Sequence, residues 1–323
     1  MSRGSHAPSL TTLARRALAE VFEDTPGSDR APVIVCAVSG GPDSIALLHV
    51  LSLLAKARGS RVAPFQLTAC GVDHGLRHAA AAELALAQGV AEGLGVPFTV
   101  REVSVATGAN LQARARAARH EALLAEADAR GGPNALVATA HHADDRAETF
   151  LLRLARGAGL RGLAVLPPRD GRLVRPLIRA RRADVLTHLS RHGLPSAEDP
   201  SNLDRRFARA RVRHDVLPAL LALDPRFVEH VCDVCDELAP LRTSLAAPPE
   251  GREGLGRRHR EALAHMEKRA AAGADATKMA LRLPNLRSAT YDSSAGRVAI
   301  HSASSAPAPH PEPEVSGSSR KLL

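Results

Sequence analysis

The sequence predicts an α/β protein: a doubly wound, mostly parallel sheet followed by a small, mainly helical C-terminal domain. Three observations carry that reading. Short apolar runs alternate with stretches of helical period through roughly the first two-thirds of the chain, the pattern of βαβ units. The turn after the first run is rich in glycine and small hydroxyl residues, Ser39-Gly40-Gly41-Pro42-Asp43-Ser44. After about Pro218 the alternation stops.

The elements follow in order. Val33 to Val38 reads as the first strand and Ile45 to Ala57 as its helix. Leu67 to Val72 precedes a helix over Ala79 to Gly93, Phe98 to Val105 precedes Leu111 to Ala129, and Leu136 to Ala140 precedes Ala147 to Ala155. Strands this uniformly apolar are buried on both faces, and in such sheets ligands gather at the carboxyl ends of the strands. Leu217 to Leu238 reads helical, Pro240 to Gly256 is a Pro/Gly/Arg-rich connection, Arg260 to Ala272 a further helix, and a short strand pair is expected near Leu281 and Val298. The expected organisation is a catalytic domain over 1–217, the small helical domain over 218–301, and a Ser/Ala/Pro-biased disordered tail over 302–323. Gly157-Ala158-Gly159-Leu160-Arg161-Gly162 fits a dinucleotide fingerprint but follows a helix, so it reads as a helix end and turn.

Composition bounds the partners. The chain has 323 residues, 45% hydrophobic and 24% charged, the balance of a globular protein. Its formal net charge is +9, and Lys56, Lys268, Lys278 and Lys321 are its only lysines. Arginine suits phosphate because its guanidinium fork donates two parallel hydrogen bonds, which makes nucleic acid a candidate partner. An Ala/Arg-biased genome gives the same balance. Six Phe and one Tyr are too few for a row of base-stacking platforms. The sequence has no 18-residue apolar run and no signal-type apolar core near its N-terminus, so the expected location is the cytoplasm, with no membrane partner. Cys36 and Cys70 fall in strands. Cys232 and Cys235 have metal-ligand spacing but no second pair, and Val231, Val234 and Leu238 around them recur at helical spacing, which favours packing.

The glycine-rich turn carries the strongest chemistry. Gly40 and Gly41 let the backbone turn tightly and approach an anion, and Pro42 suits the first helical position. The helix start then presents N–H groups and a positive dipole end to phosphate. Ser39 and Ser44 add hydroxyl donors, and Asp43 is placed to hold Mg2+ on the phosphates. No GxxxxGK[ST] occurs in the chain, so this is not a Walker loop, and a pyrophosphate leaving group suits it better. Three further segments lie at strand ends or beyond. His141-His142-Ala143-Asp144-Asp145-Arg146-Ala147-Glu148-Thr149 puts two imidazoles and three carboxylates beside the first turn, although Asp145 and Glu148 also have the spacing of a helix capping box. Asp73-His74-Gly75-Leu76-Arg77 is either a plain turn or a wall of the same pocket. After Asp199-Pro200-Ser201-Asn202, Arg205, Arg209 and Arg213 fall at i, i+4, i+8, a stripe that is either solvated or phosphate-gripping; Arg114, Arg116 and Arg119 form another basic stretch.

Taken together these segments resemble the PP-loop ATP pyrophosphatases, with their adenine nucleotide hydrolase-like fold, and within them the tRNA(Ile)-lysidine synthases. The resemblance runs over roughly Val33 to His230. SGGPDS at 39–44 is similar to the superfamily's loop, while DHGLR at 73–77, HHADDRAET at 141–149 with Leu151 to Gly157, Val174-Arg175-Pro176-Leu177, Glu198 to Asn202 with its arginines, and Val216-Leu217-Pro218 resemble the narrower family in order. Arg146 stands where that family usually has glutamine, His120 where a tyrosine is common, and Ala210 in place of a frequent asparagine. The chain's length is similar to that of the family's compact members, which carry one small C-terminal domain.

The resemblance implies ATP as co-substrate, Mg2+, free lysine and an isoleucine tRNA with a CAU anticodon, and it is compatible with a homodimer. It implies that the ring oxygen at carbon 2 of the wobble cytidine attacks the α phosphorus, that pyrophosphate leaves, and that the ε-amine of lysine then displaces AMP. On this basis Ser39, Gly40, Gly41, Pro42, Asp43 and Ser44 bind the nucleotide with Asp73 and His74, and Asp43 holds the metal. Asp145 and Glu148 receive the lysine ammonium, one of them serving as general base, and His142 positions the adenylate. Arg77, Arg119, Arg205, Arg209 and Arg213 meet substrate phosphate. The runner-up is a tRNA thiolase of the same superfamily, disfavoured because no cysteine reads as lying at the nucleotide loop; a basic RNA-binding protein with a decayed loop is disfavoured by the intact SGGPDS and HHADD.

Overall fold

The computed structural model describes residues 8–23, 31–57, 62–75, 79–105, 108, 111–197, 205, 207–244, 257–272, 280–282, 288–292 and 297–301. It falls into two compact units, 1–245 and 246–323. The first opens with α1 (Leu10–Glu23), whose Leu10, Ala14, Ala17, Leu18 and Val21 share one buried face. Four strand–helix units follow: β1 (Val33–Ala37) and α2 (Pro42–Lys56), β2 (Gln66–Asp73) and α3 (Ala79–Gly93), β3 (Phe98–Glu102) and α4 (Leu111–Gly131), β4 (Leu136–Ala138) and α5 (Ala143–Ala155). These are the alternating runs of the sequence, displaced by a few residues at their ends.

Five strands of the larger sheet are parallel in the order β3-β2-β1-β4-β6, with β5 (Arg169–Asp170) antiparallel to β6 (Leu173–Val174) at the edge. β1 is central, and its two faces feed different cores. Ile34 and Cys36 pack with residues of α1, α2, α3 and α7 (Arg182–His192), whereas Val35 packs with Leu123 and Ala127 of α4. Burial on both faces explains why the strand reads as an unbroken apolar run. From β1 the chain moves outward to β2 and β3, then returns to β4 on the other side. The crevice at the carboxyl ends of β1 and β4 is therefore the switch point where α/β sheets bind ligands.

Between α5 and β5 lies α6 (Leu160–Leu163), and Gly157 before it turns at φ 73°, so the GxGxxG segment is a helix end and turn. After α7 come α8 (Ala208–Arg211), a π-helical turn over Val212–Val216, α9 (Leu217–Leu223) and α10 (Phe227–Ser244). The single helix expected over Leu217 to Leu238 is two, parted at Asp224 and Pro225, because Pro225 has no N–H to continue the ladder. The expected boundary at 217/218 falls inside the first unit. Leu217, Val228, Val231, Cys232 and Cys235 share a core with Ala143, Ala147 and Val165, so α9 and α10 pack on α5 instead of standing apart. The two cysteines are packed there, as the helical spacing of the apolar residues around them suggested.

In the second unit α11 (Arg257–Ala271) packs on an antiparallel sheet of β7 (Ala280–Arg282), β8 (Ser288–Asp292) and β9 (Arg297–His301). The central strand β8 is an addition to the expected pair. Its apolar core includes Leu263, Met266, Ala289 and Val298. The tail over 302–323 lies outside the described residues. Among the described residues no helix is long and apolar enough to cross a membrane.

Candidate active site

Gly40, at φ 86°, turns the chain out of β1, and a Cβ there would lie 2.4 Å from the Glu83 carbonyl oxygen. Only glycine fits both the backbone angle and the contact with α3. Gly41 then adopts an extended conformation as the N-cap of α2 and Pro42 takes the first turn. Ser44 folds the loop back on itself: its Oγ donates to the Gly41 carbonyl at 2.8 Å and accepts from the Ser39 N–H at 3.2 Å. Ala197 donates its N–H to the Gly40 carbonyl at 2.9 Å, bracing the turn from outside.

The second loop faces the first across the switch point. His142 caps α5: its Nδ1 accepts from the Asp145 N–H at 3.3 Å, and Asp145 Oδ2 accepts from the His142 N–H at 3.1 Å. The capping box is thus His142 with Asp145, one turn earlier than the Asp145/Glu148 spacing suggested, which leaves Glu148 for other work. His142 is fully buried, and its Nε2 points at Asp43 Oδ1 3.6 Å away, beyond hydrogen-bond reach. Both atoms are buried without a hydrogen-bond partner. Burial alone would push His142 down, but Asp43, Asp145 and Asp144 outweigh it and hold the imidazole above its ordinary value. Neighbouring His141, whose Nδ1 lies 3.0 Å from Thr139 Oγ1, is pushed down by burial and stays neutral. Asp144 is tied to the start of α7 by Arg181 and by the Arg182 N–H at 2.7 Å; burial would raise its pKa, and these partners hold it below the usual carboxylate range.

Asp145 and Glu148 turn toward a third element. Arg209 on α8 donates to Asp145 Oδ1 at 2.7 Å and to Glu148 Oε2 at 2.8 Å. Arg213 in the π-helical turn donates to Glu148 Oε1 at 2.6 Å and Oε2 at 3.1 Å. Burial would raise Asp145, but His142 and Arg209 keep it low. Arg209 and Arg213, four residues apart, face the same carboxylate.

These pieces enclose a cleft of about 830 Å³. Ser39, Gly41, Pro42, Asp43 and Ser44 line it with His74, Arg119, Asp145, Arg209 and Arg213. Arg116 and Arg182 line it too. Burial and then the neighbouring arginines lower the pKa of Arg116 and Arg119, the mark of crowded positive charge. Gly40 shapes the loop from behind, and His142 and Glu148 support the wall. Asp73 is off the cleft, where its Oδ1 accepts from the Gly75 N–H at 2.8 Å and fixes a turn. Arg205 is also off it, since α8 begins at Ala208; the side chain is exposed and pairs with Asp215 at 3.1 Å. Arg77 and the segment Asp199 to Asn202 lie outside the described residues. Arg182 was not anticipated as part of the site. Its N–H meets Asp144 38 residues away, and no local pattern joins the two.

Hard oxygen donors, an unpartnered carboxylate oxygen on Asp43 and several guanidiniums suit a nucleotide with a divalent cation. Residues 10–220 match the family of the ATP-binding PP-loop domain. The chain belongs to the PP-loop family. It is 41% identical over 234 residues to the tRNA(Ile)-lysidine synthase of Pseudomonas fluorescens, covering 68% of this chain and 51% of that one. To the tRNA(Ile)-lysidine synthase of Novosphingobium aromaticivorans it is 45% identical over 199 residues, 59% of this chain and 58% of that one. The chain thus spans about half the length of the curated relatives it matches. Among solved structures it is similar to the U34-tRNA thiolase NcsA from Methanococcus maripaludis with its 4Fe-4S cluster, at TM-score 0.58 and 16% identity, covering 74% of this chain and 86% of that one. That likeness concerns the fold alone.

Proposed function

We propose that this PP-loop protein adenylates the wobble cytidine of an isoleucine tRNA with ATP and exchanges AMP for lysine. The observation that carries the reading is the meeting, across one switch point, of the glycine turn, whose Asp43 Oδ1 is buried without a hydrogen bond, with His142 and the arginines of the facing wall. The identity to lysidine synthases supports the choice of substrate.

The chain's residues divide the work. The turn at Ser39 to Ser44 receives the phosphates, and Arg116, Arg119, Arg182, Arg209 and Arg213 offer donors to the charge that grows on the phosphoryl oxygens. Asp43 would hold Mg2+, with the His142 imidazole 3.6 Å behind its Oδ1. When bound, that ion neutralises phosphate charge and orients the leaving group. The cytidine oxygen forms a bond to the α phosphorus as the bond to pyrophosphate breaks. The adenylate oxygen is then a good leaving group, and the lysine ε-amine, having lost its proton, bonds to carbon 2 as AMP departs. Asp145 and Glu148 are the acceptors for the ammonium once Arg209 and Arg213 release them.

A thiolase would activate the same kind of base for sulfur. Cys70 lines the cleft, contrary to the expectation that no cysteine lies there, but burial pushes its thiol up to about 12 and Cys36 higher still, the opposite of a reactive thiolate, and Cys232 and Cys235 pack in the core beside α5. Incubating the protein with ATP, radiolabelled lysine and a CAU-anticodon isoleucine tRNA transcript tests the proposal. Label entering the RNA only when ATP is present is the expected result, and RNA that stays unlabelled refutes it.

A further inference from the structure

Outside the cleft, three imidazoles converge between α2 and α7. His188 and His192 stand at i, i+4 on one face of α7, the spacing with which helices present paired zinc ligands. His49 approaches from α2, its Nδ1 2.9 Å from His188 Nε2. The ring centroids are 4.5 to 5.0 Å apart, and one nitrogen from each ring lies within 4.8 Å of the others. In a tetrahedral zinc site, ligand nitrogens stand roughly 3.4 Å apart, as bond lengths of about 2.1 Å require. Small rotations of three rings reach that spacing.

We propose that His49, His188 and His192 form a binding site for a divalent transition ion of zinc type. Imidazole nitrogens select such ions over the hard cations that oxygen ligands hold. A hydrogen bond between His49 and His188 accounts for two of the rings but not for the third. His49 and His188 are buried, and His192 is exposed toward solvent, where a water would complete four-fold coordination. None of the three lines the cleft. The ion is therefore a staple: α2 begins at Pro42 in the phosphate loop and α7 at Arg182 in the cleft wall, each roughly 10 Å along its helix from these histidines. Clamping the helices together fixes the separation of two cleft walls. The inference does not rest on the proposed reaction.

Tag-free full-length protein, stripped with chelator, is titrated with Co2+ and with Zn2+. The expected results are visible d–d bands of four-coordinate Co2+, one Zn2+ bound per chain, and a rise in Tm with Zn2+. His192→Ala alters an exposed side chain and should fold as the wild type, while weakening Zn2+ binding by more than about ten-fold. His49→Gln supplies a second, core variant. Absence of the Co2+ bands, or equal Zn2+ affinity of the wild type and His192→Ala, overturns the site.

Discussion

Arg209 bridges Asp145 and Glu148, and Arg213 forks onto both oxygens of Glu148. On the proposed function, an arriving lysine ammonium would meet carboxylates that already hold guanidiniums. Phosphate is the better competitor, because it draws the arginines away and leaves the acceptors to lysine. Nucleotide should bind first. Calorimetry with lysine is expected to show binding in the presence of a non-hydrolysable ATP analogue and none without it; equal affinity under both conditions contradicts this order. Gly40 makes a second residue-scale prediction. Gly40→Ala forces a side chain into φ 86° and against the Glu83 carbonyl, so it should cost about 1–3 kcal/mol in urea unfolding and lower ATP affinity. Stability equal to the wild type would show that the turn tolerates a Cβ.

At the scale of elements, two buried charges tie pieces together. Arg146 on α5 is fully buried and donates to the Val165 carbonyl at 3.1 Å, the Cys232 carbonyl at 3.3 Å and Asp236 Oδ1. It anchors α10. Arg146→Ala should destabilise by about 3–5 kcal/mol, read from denaturant midpoints. A change under about 0.5 kcal/mol would mean α10 is held by apolar contacts alone. Glu126 on α4 is clasped by Arg101 of β3 at 2.7 Å and Arg130 at 2.7 Å. Burial would raise its pKa, but the arginines outweigh that and hold it below its ordinary value. Its contribution is therefore present above about pH 4.3 and lost as pH falls through the folded value. Glu126→Gln should lower stability at neutral pH and flatten the loss in acid; an unchanged acid profile contradicts the clasp. The sequence could not reveal such ties. β1 was legible because both of its faces are buried, and α2 because a glycine turn and Pro42 announce it. β5 and β6 have two residues each, too short for any period, and the Arg146–Asp236 contact spans 90 positions.

For the whole molecule, the site was legible in its parts and not in its assembly. The glycine-rich loop and the His-Asp segment stand at strand ends, which a parallel sheet places side by side. The arginine stripe divided because α8 starts too late to carry Arg205. The boundary moved because α9 and α10 serve the core under α5, a packing choice that helical spacing alone does not reveal. On the proposed function, the glycine turn holds the β and γ phosphates while AMP passes to a base. ATP radiolabelled at its α phosphate, incubated with the protein, lysine and isoleucine tRNA, measures that directly. Labelled AMP should form, equimolar with pyrophosphate and dependent on the tRNA. Labelled ADP, or AMP formed at the same rate without RNA, would contradict it.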